Sequence, residues 1–152
     1  MGLGTFVTVG SIEVVLPTYN GVLYLEQQLA SIDQQSLRPE RVLLRDDGSN
    51  DGTQALVGRL QARYGEWLRV LPSDGHLGCI GNVNRLLEST RASYVALADQ
   101  DDVWFPNKLE VSLALLQQME HLHGAETPHL VHSDLELIDA DGELLGCTYL
   151  KR

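Results

Sequence analysis

The chain is short of positive charge. Its 11 Lys and Arg stand against 21 Asp and Glu, a formal net charge of −10 over 152 residues. That balance argues against a general nucleic-acid binder and against electrostatic adhesion to anionic lipid, both of which need a cationic surface. It leaves room for a nucleotide whose phosphates are carried by a metal. Cysteine is scarce as well. Cys79 and Cys147 are far apart and form no C-x-x-C, so no disulfide framework is implied; both read as buried or idle thiols in a reducing compartment. No apolar run approaches the roughly 18 residues of a membrane span. Residues 1–10 lack the basic start of a signal peptide, and 1–11 read as a lead-in without expected order. The five histidines give no H-x-x-x-H. His121 and His123 read as surface residues, and His129 and His132 as opposite faces of a strand, so no zinc site is expected. The glycine-rich phosphate cradles G-x-G-x-x-G and G-x-x-x-x-G-K-[ST] are missing too, and Gly78-Cys79-Ile80-Gly81 is too slight to replace them.

What is present is an ordinary globular composition, 43% hydrophobic and 21% charged, at the length of one domain. Ile12-Glu13-Val14-Val15-Leu16 reads as a strand stopped by Pro17. Val22, Leu25, Leu29 and Ile32 recur at helical spacing. Arg41-Val42-Leu43-Leu44-Arg45 is a second strand, and Asp51-Gly52-Thr53 opens a helix carrying Leu56, Leu60 and Tyr64. A short strand at 68–71, a loop at 75–78, a helix over 80–89 and a buried strand at 94–98 follow. Pro106 occupies an expected first helical position, ahead of a stripe of Leu109, Leu113, Leu116 and Met119. Residues 130–138 read as another strand, and Asp141-Gly142 as a tight turn into 143–149. Strand and helix alternate four times, which predicts an α/β fold with a mostly parallel sheet and helices on both faces.

Ligands in such sheets bind beyond the carboxyl ends of the strands. Three polar turns belong to that edge: Thr18-Tyr19-Asn20, Asp46-Asp47-Gly48-Ser49 and Asp99-Gln100-Asp101-Asp102. Two carboxylates about 4 Å apart repel by roughly 4 kcal/mol at an effective dielectric near 20, so the last turn either fans into solvent or holds a cation. Asp99 and Asp101 suit Mg²⁺ or Mn²⁺ against a diphosphate. Tyr19 suits stacking on a base, and Asp47 suits accepting the imide N–H of uracil or thymine. Plainer readings exist. Tyr19 packs on the first helix, Asp46, Asp47 and Ser49 shape a turn, Asn82 and Asn84 are solvated or bonded to nearby backbone, and Trp104 and Phe105 belong to the core or an interface. Asp102 then chiefly begins the following helix.

The motifs Val14-Val15-Leu16-Pro17-Thr18-Tyr19-Asn20-Gly21, Arg45-Asp46-Asp47-Gly48-Ser49 with Asp51-Gly52-Thr53, and Ala98-Asp99-Gln100-Asp101-Asp102 with Pro106 and Lys108-Leu109 resemble glycosyltransferase family 2. His132-Ser133-Asp134 and Asp141-Gly142 resemble its next stretch. The D-Q-D-D form is similar to bacterial rhamnosyl- and galactosyltransferase-like members of polysaccharide biosynthesis. The resemblance spans about residues 12–146. It implies a GT-A, Rossmann-like fold, with 12–152 as the nucleotide-sugar-binding part of a truncated domain. It implies an inverting transfer from a UDP- or dTDP-sugar to a hydroxyl of a glycan or lipid-linked acceptor. Pro17, Thr18 and Tyr19 would line the base, Asp47 would contact it, Asp99 would lie near ribose and diphosphate, and Asp101 would be the principal ligand of Mg²⁺ or Mn²⁺. Gly78 and Asn84 match a stretch flanking the nucleotide. Asn20, Asp46, Ser49 and Gln100 complete the expected donor-binding set.

His76 departs from the family, which often has asparagine there, and Ala92-Ser93 replaces a common Gly-Glu. The general base that such a reaction needs is expected beyond Arg152; Asp134 and Glu136 are weak candidates. The parent protein is expected in the cytoplasm, at the inner face of the membrane, with self-association through an exposed sheet edge. The rival reading is a non-catalytic nucleotide-sugar-binding module. A nucleotidyltransferase is disfavoured because Pro17-Thr18-Tyr19-Asn20 stands where a basic glycine-rich loop would be.

Overall fold

A computed structural model describes residues 10–140 and 142–148; most of the lead-in, Asp141 and Tyr149 lie outside the described residues. The chain forms two compact units, residues 1–109 and 110–152.

In the first unit, β1 (Ile12–Thr18), β2 (Arg41–Asp46), β3 (Leu68–Val70) and β4 (Tyr94–Leu97) make one parallel sheet in the order β3-β2-β1-β4. The helices between them are α1 (Leu25–Asp33), α2 (Thr53–Tyr64) and α3 (Gly78–Leu87). Chain order steps outward from β1 to β3 and then jumps back across β1 to β4. With right-handed crossovers, α1 and α2 therefore cover one face and α3 the other. This is why Val14, Val15, Leu16, Val42, Leu43 and Leu44 are all wholly buried: the two central strands have no solvent face. Val15 and Leu43, paired in register, meet Leu86 of α3 and Leu71 in one apolar cluster. Each such side chain contributes about 1.5–3 kcal/mol by leaving water.

Four expectations in this unit are corrected. Pro17 does not stop β1, which continues to Thr18 beside Asp46 of β2. Backbone groups of alternate residues face the same neighbour, so Val15 and Pro17 both face β4. There the ladder ends, at Val15 with Leu97 and the Ala98 N–H donating to the Val15 carbonyl. The donor that proline lacks is not needed on the β2 side. Second, β4 is not buried. It is the edge strand, with Val95 37% and Leu97 59% exposed. Third, α3 begins at Gly78, two residues before its expected start, which takes Gly78 out of the loop and into the first turn. Fourth, Pro106 lies in a turn, and the helix after it starts at Lys108, whose N–H donates to the Phe105 carbonyl.

That helix, α4 (Lys108–His123), enters the second unit, which also holds an antiparallel hairpin of β5 (Glu136–Ile138) and β6 (Leu144–Thr148). Leu113 is buried, whereas Leu116 and Met119 are only partly so. The expected strand over 130–138 shrinks to its last three residues. Residues 130–135 have no ladder partner among the described residues, and His129 and His132 lie outside the described strands. The His129 ring instead contacts the Gly124 carbonyl.

Candidate active site

The topological switch point lies between β1 and β4. Past Val15 and Leu97 the two strands have no backbone ladder among the described residues, and this is the position at which open parallel sheets form their ligand-binding crevice. The loop after β1 starts at this edge. On one side it is laced to the loop after β2. The Asn20 N–H donates to Ser49 Oγ at 2.8 Å, Gly21 N–H to Thr53 Oγ1 at 2.9 Å, and Asn50 N–H to Asn20 Oδ1 at 3.0 Å. Asn20 adopts φ 51°, which asparagine tolerates better than other side chains. On the other side the loop meets Gln100. Gln100 Oε1 accepts from Thr18 Oγ1 at 2.5 Å and from the Tyr19 N–H at 3.0 Å, and Nε2 donates to the Tyr19 carbonyl at 3.0 Å.

The acidic residues differ in how far they are engaged. Asp46 is buried and accepts from the Gly48 and Ser49 amides and from Ser49 Oγ, so it and Ser49 build the turn. Asp47 is 2% exposed. Its Oδ1 accepts from Arg45 Nη1 at 2.7 Å and the Leu77 N–H at 2.8 Å; its Oδ2 accepts from the Gly78 N–H at 2.8 Å and lies 3.0 Å from His76 Nδ1. It thus closes the start of α3, where helix dipole and free amides favour an anion. Gly78 sits there at φ 71°, a conformation that needs glycine. Burial alone would raise the Asp47 carboxyl. The Leu77 amide, the Arg45 guanidinium and the Gly78 amide outweigh it and hold the carboxyl below its ordinary range.

Arg45, Asp74, His76 and Asn82 were not singled out from sequence as parts of the site. Arg45 is wholly buried; beyond Asp47 it reaches Asn82 Oδ1 at 3.1 Å, Asp74 Oδ1 at 2.9 Å and the Gly75 carbonyl at 2.8 Å. A charged side chain directly after the apolar run Val42-Leu43-Leu44 and still inside the strand was the available signal, because buried charges need partners. Asn82, read as solvated or locally bonded, is buried and closes the pair by donating to the Arg45 carbonyl. Asn84 lies exposed on α3. The His76 ring faces that of Tyr19 with centroids 5.1 Å apart, leaving Tyr19 46% exposed at the crevice. Tyr19 is therefore an available stacking surface.

Asp99, Asp101 and Asp102 are exposed at the end of β4. Asp102's carboxyl is pushed up by burial, then by repulsion from Asp99 and Asp101, with Lys108 opposing. After this turn the chain is fixed again. Trp104 is buried and its N–H donates to Ser31 Oγ, and the Gln35 side chain bridges the Phe105 carbonyl and the Leu109 N–H. The donor set, hard carboxylate oxygens under mutual repulsion, fits Mg²⁺ or Mn²⁺. Among the described residues no three acidic, His or Cys side chains converge on one centre. Asp99 and Asp101 alone would leave most positions around such a cation to water or a bound ligand, as Mg²⁺ commonly allows. A separate concavity of about 380 Å³, lined by Arg41, Glu66 and Arg69 among others, lies at the opposite end of β2 and β3 and includes none of these groups.

The family model "Glycosyl transferase family 2" matches residues 13–124. The chain belongs to glycosyl transferase family 2. It is 28% identical over 123 residues to the putative glycosyltransferase EpsE of Bacillus subtilis, covering 81% of this chain and 44% of that protein. It is 31% identical over 105 residues to the dTDP-rhamnosyl transferase RfbG of Shigella flexneri, covering 66% of this chain and 36% of that protein. The chain thus spans less than half the length of these relatives. Among solved structures, a mannosyltransferase from Pyrobaculum calidifontis in complex with GDP-Man and Mn²⁺ superimposes with a TM-score of 0.65 at 25% identity, over 70% of this chain and 32% of that one. The family 2 chain has the GT-A fold that its motifs led one to expect.

Proposed function

We propose that this family 2 chain binds the nucleotide-sugar donor of an inverting glycosyltransferase, a UDP- or dTDP-sugar, for transfer to a hydroxyl of a glycan or lipid-linked acceptor. One observation carries the reading. The parting of β1 and β4 after Val15 and Leu97 leaves the exposed Tyr19 ring and the exposed Asp99 and Asp101 carboxylates on two loops that Gln100 joins. Tyr19 takes the base. Asp99 and Asp101 would hold a divalent cation, which when bound neutralises charge on the departing diphosphate. The loops themselves supply little positive charge for a diphosphate, because Arg45 is buried against Asp47 and Asp74. For Asp47 to accept an imide N–H, the base would have to approach beside the exposed His76 ring, because the carboxylate already accepts from Arg45, Leu77 and Gly78. The acceptor hydroxyl's proton goes to a carboxylate outside this crevice.

A relative named as a dTDP-rhamnosyl transferase supports a dTDP-sugar, and a mannosyltransferase in complex with GDP-Man and Mn²⁺ supports a nucleotide-sugar donor more broadly, with a cation. No described helix is long and apolar enough to cross a membrane, which suits work at the cytoplasmic face. The outer edge of β4 has no strand partner among the described residues and is where self-association would occur.

Calorimetry with UDP and dTDP, with and without Mn²⁺, tests the proposal. Binding strengthened by Mn²⁺ is expected, and Asp101→Ala should abolish the strengthening. Silence of the folded chain under every condition overturns it. Turnover of labelled donor by the full-length protein separates the enzyme from a module that only binds.

A further inference from the structure

We infer that Gln100 is a positioning residue that couples the cation-side carboxylates to the nucleoside platform; this rests on the donor-binding reading above. The β1–β4 ladder ends at Val15 and Leu97, and Pro17 has no N–H with which to continue it. Past that point the Gln100 amide takes the place of a ladder. It accepts from Thr18 Oγ1 and the Tyr19 N–H and donates to the Tyr19 carbonyl. Its neighbours on either side in sequence are Asp99 and Asp101. Movement of the acidic turn is therefore transmitted to the Tyr19 backbone. Without the amide the two loops would order independently, each at its own entropic cost.

The neighbouring loop leaves space for this contact. A methyl group added at Gly21 would lie 2.2 Å from Gln100 Oε1, 2.7 Å from its Cδ and 2.9 Å from Thr18 Oγ1. The atoms met are ends of side chains, so Gly21→Ala can fold, but only with the Gln100 amide displaced. Two distant substitutions should then produce one defect. Gln100 carries out this role through both ends of its amide, with Oε1 accepting twice and Nε2 donating to the Tyr19 carbonyl.

The test is calorimetry of UDP and dTDP with and without Mn²⁺ on the chain, Gln100→Ala, Gly21→Ala and the double variant, with folding checked by circular dichroism. The factor by which Mn²⁺ strengthens nucleotide binding should fall about tenfold in each single variant. It should fall no further in the double variant, because both act on one contact. Gln100→Glu, which keeps the acceptor and loses the donor, should fall between. A second readout needs no nucleotide: Mg²⁺ should slow hydrogen exchange of the Tyr19 amide in the wild type and leave it unchanged in Gln100→Ala. Wild-type coupling in folded Gln100→Ala, or a double variant showing the product of the two single effects, overturns the inference alone. A wild type that binds neither nucleotide overturns the donor reading and this inference with it.

Discussion

Replacing Asp47 with asparagine should cost the fold about 3 kcal/mol. Arg45 is 0% exposed along its side chain, with Nη1 2.7 Å from Asp47 Oδ1. Deleting one partner of a buried pair typically costs about 3–5 kcal/mol, because a desolvated charge is left behind. Asp74 remains 2.9 Å from Nη2, but its side chain is 63% exposed and its contribution is screened. Asn82 Oδ1 and the Gly75 carbonyl also remain, which places the estimate at the lower end. Arg45 Nε is already buried without a hydrogen-bond partner, so the guanidinium has no spare donor contact to lean on. Removing both charges in Arg45→Met/Asp47→Asn should cost less than the sum of the two single changes, by about 2 kcal/mol. Urea unfolding followed by Trp67 fluorescence, in a buried ring, measures all three variants. The pH dependence fixes the cause. The folded Asp47 carboxyl lies below its ordinary value of 3.8. The wild-type advantage over Asp47→Asn is therefore fully present above the unfolded value and lost as pH falls through the folded one. A cost under about 1 kcal/mol, additive single variants, or an advantage that persists unchanged into strong acid would refute the reasoning.

Three further outcomes are expected. Tyr19→Ala should weaken UDP binding by about 1–3 kcal/mol, the usual worth of a base on an aromatic ring, while Tyr19→Phe should bind nearly as wild type; equal affinity in the alanine variant would remove Tyr19 from the site. Thr53→Val should destabilise by about 1–3 kcal/mol in thermal unfolding, because it strands the buried Gly21 N–H and removes the hydroxyl that donates to Asp51 at 2.6 Å; an unchanged Tm would show that the link between the loops is not needed. Leu43→Ala, at a fully buried central position, should cost about 2–5 kcal/mol in urea, and a loss under about 1 kcal/mol would mean the sheet core is not packed as described.

The order of the elements was legible because the central strands are apolar without alternation, as burial on both faces requires, and because polar turns punctuate their ends. What escaped the sequence was partnership over distance. The charge of Arg45 was visible, but its partners Asp74 and Asn82 lie 29 and 37 residues away. The same apolar reading that served Val42-Leu43-Leu44 failed for 94–97, since strand composition does not say which strand ends at an edge. It failed again for 130–135, where no neighbouring strand among the described residues supplies a ladder. Pro17 misled in the opposite sense. A missing donor ends only the ladder it faces, and β1 kept its other neighbour.

The aspartates of the crevice separate into two groups by the partners they already have. Asp46 and Asp47, expected among the donor contacts from their place at the sheet edge and their motif, already accept from Ser49, Arg45, Leu77 and Gly78. Their charge is used to hold the wall in which Tyr19 stands. Asp99 and Asp101 are exposed, close to a third carboxylate whose ionisation they oppose. A bound divalent cation would relieve repulsion of that kind, which Lys108 already opposes. An anionic diphosphate entering the same acidic edge needs that cation equally. On the proposed donor reading, the charge deficit that argues against nucleic acid would also make binding depend on a divalent metal. Nucleotide affinity should accordingly rise with Mn²⁺ far more than it falls with monovalent salt.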